Sequence, residues 1–142
     1  MKNLFLVKKN FERILMWNLN HIIKIVGFGL VMWLIPFIVS LIIYPLKISF
    51  NPLFESIMPV VIALTVVILS AAYFKDVNTN FLKEGIIIGG SWFLISILID
   101  LILLMPSSPM QMSSTNYMMD IGLTYLIIPP VTVGRGYMAD KQ

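Results

Sequence analysis

Residues 25–46, IVGFGLVMWLIPFIVSLIIYPL, carry no charge. An α-helix rises 1.5 Å per residue, so about 20 apolar residues cross a hydrocarbon core of roughly 30 Å. A run of that length has no place on a water-exposed surface, and it makes lipid the expected solvent. Two further runs repeat the pattern: residues 56–74, SIMPVVIALTVVILSAAYF, and residues 85–106, GIIIGGSWFLISILIDLILLMP, the latter interrupted only by Asp100. A fourth, about 115–134, TNYMMDIGLTYLIIPPVTVG, carries Asp120 early and Pro129-Pro130 late. Composition agrees with this reading. The chain is 58% hydrophobic and 12% charged, with a mean hydropathy of +0.91, against roughly 45–50% and 25% in a soluble domain. A soluble globular domain, a disordered tail and a nucleic-acid-binding module are excluded. The 142 residues are expected to form a single all-α integral membrane domain of four transmembrane helices.

The basic residues orient those helices. Lys2, Lys8, Lys9, Arg13 and Lys24 precede the first span, Lys75 and Lys83 lie between the second and third, and Arg135 and Lys141 follow the fourth. Only Lys47 falls in the loop between spans one and two. With four crossings, nine of the ten basic residues collect on one side. Excess Lys and Arg mark the cytoplasmic face, which predicts a plasma-membrane protein with both termini in the cytoplasm and a short tail, 135–142.

Residues 4–17, LFLVKKNFERILMW, are amphipathic. Leu4, Val7, Phe11, Ile14 and Leu15 fall on one side of a helical wheel; Lys9, Glu12 and Arg13 fall away from it. Such a stretch is expected to lie in the membrane interface with its basic face on anionic headgroups. Residues 1–24 therefore read as an amphipathic N-terminal segment; the alternative is that the stretch continues directly into the first span. The first apolar run is too long for a signal peptide, and no small-residue cleavage site follows it. His21, beside Asn20 and close to Lys24, reads as an interfacial residue with no special role.

Asp100 is the sharpest chemical signal. An acid in mid-helix costs about 2.5–3.5 kcal/mol on insertion scales, so it is expected to face protein or water and to have a partner. Ser96 lies one turn before it, where its hydroxyl can reach the carboxyl or the backbone. Gly85 and Gly89 share that face in the small-x-x-x-small pattern that lets helices approach closely. Asp120 is expected at similar depth, with Tyr117 and Thr124 on its face. Convergence of the two faces would assemble two carboxylates, a phenol and two hydroxyls, a setting for proton or cation binding. The bland alternatives are an acid that holds the bundle together at 100 and a helix-capping acid at 120.

Other features are weaker. Met110, Met112, Met118 and Met119 cluster on and beside the third loop; thioethers suit Cu(I), but methionine is also an ordinary apolar filler. Pro36, Pro129 and Pro130 each remove a helical donor and are expected to kink their helices. Cysteine is absent and histidine occurs once, which excludes disulfides, thiolate metal centres and His-rich sites. No catalytic motif is present, so an enzyme is not expected, and neither is a cofactor. The expected function is a small proton- or cation-linked transporter or channel built on Asp100. The alternative is a non-catalytic membrane subunit or scaffold that docks a partner. The expected partners are the lipid bilayer and a second copy or another membrane protein.

Overall fold

The computed structural model of the protein describes residues 1–104 and 114–142. Every element among them is helical. Three helices are long and apolar enough to cross a membrane: α1 (Lys2–Ile42), α3 (Asn51–Phe74) and α4 (Phe81–Leu104). A short α2 (Tyr44–Ser49) joins the first two. The remaining chain is a broken helix: α5 (Ser114–Tyr117), a π-helical turn (Met118–Gly122), α6 (Leu123–Tyr125) and α7 (Ile128–Asp140).

Prolines set several of these boundaries. The first span was expected to reach residue 46, but α1 ends at Ile42. Pro45 has no N–H to offer the carbonyl of Leu41, and the chain restarts as α2 with that proline in its first turn. Pro52 likewise opens α3, five residues earlier than expected. The break between α6 and α7 falls at Leu126–Ile127, immediately before Ile128-Pro129-Pro130 in the first turn of α7. The tandem pair stands in the first turn of α7, and α7 runs on to Asp140, past the expected limit of 134. Pro36 does not interrupt α1, which continues through it for a further turn and a half.

The N-terminal segment is not a separate helix. It is the first half of α1, which runs unbroken for 41 residues, about 62 Å at 1.5 Å per residue. The sequence between Trp17 and Ile25 holds no proline or glycine to stop it. The core-facing stripe of α1, Ile25, Gly29, Met32 and Pro36, continues backwards at the same three-four spacing through Leu4, Val7, Phe11 and Ile14. Those four residues face no other element and are 60–78% exposed.

The bundle is a ring. Helix α1 packs against α3 and α4, and α7 packs against the same two. Contacts fix the directions. His21 meets Glu84, Ile25 meets Trp92 and Trp33 meets Asp100, so α1 and α4 run parallel. Helix α7 returns antiparallel along α4, with Asp140 at Phe81 and Leu82. Trp92 and Tyr73 are fully buried at the centre with Met32, Ile88, Val66 and Ile128. Phe28 stacks on Trp92 at 6.3 Å and meets Tyr73 edge-on at 5.6 Å.

Among the described residues, α4 and α7 approach each other closely. A methyl group at Gly85 would meet the carbonyl of Thr132, one at Gly89 would meet the Thr132 hydroxyl and Pro129, and one at Gly136 would meet the carbonyl of Phe81. Glycine is required at these positions because backbone approaches backbone. The expected packing role of Gly85 and Gly89 is therefore filled by α7 of the same chain. That seam offers nothing to a second copy, which removes one argument for a homo-oligomer.

Candidate functional site

Asp100 stands one turn from the end of α4 and is 5% exposed. Its Oδ1 accepts a hydrogen bond of 2.6 Å from the indole Nε1 of Trp33 on α1. An indole N–H and a buried carboxyl each need a partner in a medium without water, and here one element supplies the donor and another the acceptor. Trp33 also stacks on Phe37, one turn along, at a centroid distance of 4.7 Å.

Ser96 lies one turn before Asp100 and is completely buried. Its hydroxyl was expected to reach the acid or the backbone; instead its Oγ has no hydrogen-bond partner among the described residues. An unpaired buried hydroxyl ordinarily costs about 1–3 kcal/mol, so the pair is a satisfied acceptor beside an unused donor and acceptor.

The expected partners of Asp100 stand differently. Asp120 belongs to the π-helical turn and Tyr117 to the end of α5, but the side chains of both lie outside the described residues, as does that of Met118. Thr124 is partly buried on α6. Met110 and Met112 lie outside the described residues altogether, and Met119 is 68% exposed. Among the described residues there is no group of three or more His, Asp or Glu side chains placed to hold a metal ion.

A second polar cluster occupies the opposite end of the bundle. His21 Nε2 lies 3.0 Å from Glu84 Oε2 and 3.2 Å from the hydroxyl of Tyr73, and that hydroxyl donates to the same Glu84 oxygen at 2.9 Å. Three helices are thereby tied at one point. Trp17 stacks flat on His21 at 5.7 Å. Lys24 donates to Asp76 at 2.9 Å and sits 4.7 Å above the ring of Tyr73. The Lys24–Asp76 pair is open to solvent on the Asp76 side and contributes little by itself. Below the cluster, Asp140 accepts from the backbone N–H groups of Phe81 and Leu82 at 3.0 Å each. A side chain from α7 thus caps the first turn of α4, whose positive dipole end favours an acid.

His21 is therefore no idle interfacial residue. The sequence held a signal that could have found its partners. Tyr73 closes the second span and Glu84 opens the third, so any topology that places one loop there puts all three at the same membrane boundary. Trp33 had no such signal beyond the general need of an indole N–H in lipid. The two carboxyls on α4 are sixteen residues apart, about 24 Å of helix, and Ile88 and Trp92, both fully buried, lie between them. Comparison with protein families, with curated proteins and with solved structures finds no match.

Proposed function

We propose that this chain is a small multi-pass membrane protein of the proton- or cation-linked transporter or channel class, with Asp100 as its ion-binding group. One observation carries the reading: a carboxyl only 5% exposed, inside a helix long and apolar enough to cross a membrane, one turn from a buried hydroxyl with no partner. Intramembrane acids are costly to insert and characteristically mark ion or proton pathways. In this reading the broken helix α5–α7 is the fourth crossing and the protein resides in the plasma membrane. Both termini then lie in the cytoplasm, the His21–Tyr73–Glu84 cluster lies at the inner boundary and Asp100 in the outer half. The test is flux through protein reconstituted in vesicles. Asp100→Asn is expected to abolish it while the helical content and unfolding temperature stay near wild type; equal flux in a folded mutant overturns the assignment.

A second reading has its own support. Every residue from Met1 to Asn20 is exposed, on a helix half that carries an apolar stripe and four basic residues. In this reading that half of α1, continuous with the first span, projects from the inner face and would serve a non-catalytic subunit as the docking element for a partner. Removal of residues 2–16 distinguishes the two: it leaves flux intact if Asp100 is the working group, and abolishes function if docking is.

A further inference from the structure

An apolar groove runs along the outside of the α1–α4 contact, lined by Leu30, Trp33, Leu34, Ile99, Ile102 and Leu103. It presents no polar surface and has a volume of about 430 Å³, within the range of sites for small organic ligands, roughly 300–1,000 Å³. Ile102 and Leu34 are exposed, so in a bilayer the groove opens sideways to lipid. Trp33 belongs both to the groove wall and to the acid: its ring lines the groove while its Nε1 donates to Asp100. The indole therefore stands between the bilayer and the buried carboxyl.

We propose that the groove and Asp100 form one binding site for a lipophilic amine that enters from the bilayer. This rests on the reading of Asp100 as the ion-binding group and names the class of cation. The apolar body would occupy the groove. The protonated nitrogen would replace the Trp33 N–H as donor to Asp100. Burying a charge requires a paired, hydrogen-bonded partner, and the Asp100 carboxyl supplies it. The stacked rings of Trp33 and Phe37 add a face that attracts a cation. A neutral ligand of the same shape gains only the groove.

The test uses the full chain in detergent micelles and a matched pair of probes, 1-adamantylmethylamine and 1-adamantylmethanol, which differ in the charged group. The Trp33 indole N–H resonance is expected to shift on titration with the amine, while that of Trp17 does not. The alcohol is expected to bind roughly tenfold more weakly or worse, the usual margin for a charge-assisted hydrogen bond. Trp33→Phe keeps the aromatic wall and removes the competing donor, so it is expected to bind the amine more tightly, read as protection of Asp100 from carbodiimide labelling. Equal affinity for amine and alcohol would mean apolar partition only and overturns the proposal, as does weaker amine binding by Trp33→Phe. Carbodiimide labelling without any probe separates the two levels. If Asp100 labels in a pH-dependent way but the amine gives no protection, this inference fails and the transporter reading stands; if Asp100 never labels, both fail.

Discussion

At the scale of single residues, the two polar stations differ in how completely they are paired. The Tyr73 hydroxyl donates to Glu84 and lies beside His21, so Tyr73→Phe leaves a partly buried acid short of a donor. A loss of roughly 1.5–3 kcal/mol is expected, the usual size for a hydrogen bond to a charged acceptor. Ser96 is the opposite case. Its hydroxyl is buried and unpaired, so Ser96→Ala removes a polar group that gains nothing from the fold. Stability is expected to stay level or rise by up to roughly 1 kcal/mol. Thermal unfolding of the two variants in one detergent checks both signs; a loss for Ser96→Ala as large as that for Tyr73→Phe would show that the hydroxyl is paired in the folded protein.

At the scale of elements, the α4–α7 contact decides the shape of the bundle, and its glycines make a controlled experiment. Gly85 and Gly90 sit in the same helix. A methyl group at Gly85 would drive into the backbone of Thr132, whereas one at Gly90 meets nothing within 4 Å. Gly85→Ala is expected to destabilise by roughly 1–3 kcal/mol through overpacking. Gly90→Ala is expected to be neutral or to stabilise by up to about 1 kcal/mol, the helix-propensity gain of Ala over Gly. Chemical denaturation of the pair reads the difference, and equal effects would mean that α7 does not pack against α4 in this register. Pro129-Pro130 acts at the same scale. The pair stands in the first turn of α7, directly after the break at Leu126–Ile127.

At the scale of the whole molecule, the contacts put His21, Lys75, Lys83 and the C-terminus at one end of the bundle and Lys47 at the other. Only a return pass by α5–α7 allows this, since Asp140 reaches back to the first turn of α4. The chain has no cysteine, so a single introduced thiol reports its own side of the membrane. Thiols at Asn3→Cys, Asn78→Cys and Gln142→Cys are expected to label from the cytoplasmic side only, and Ser49→Cys from the opposite side only. Labelling of positions 3 and 142 from opposite sides would overturn the proposed four-crossing topology.

The division between what the sequence settles and what only tertiary structure decides follows a physical line. Transfer of a helix into lipid depends on local composition, residue by residue, so the apolar helices, the cost of Asp100 and the small-residue face of Gly85 and Gly89 were legible without any knowledge of neighbours. Hydrogen-bond partners across the bundle were not. Trp33 and Asp100 are 67 residues apart and His21 and Glu84 are 63 apart; which donor finds which carboxyl depends on the relative rotation and offset of separate helices. The same holds for α1. Its wheel showed an amphipathic half and an apolar half, and the absence of proline and glycine between Trp17 and Ile25 allowed the two to join without requiring it. Continuity of the backbone, the donor opposite Asp100 and the occupant of the glycine face were settled only when the helices packed.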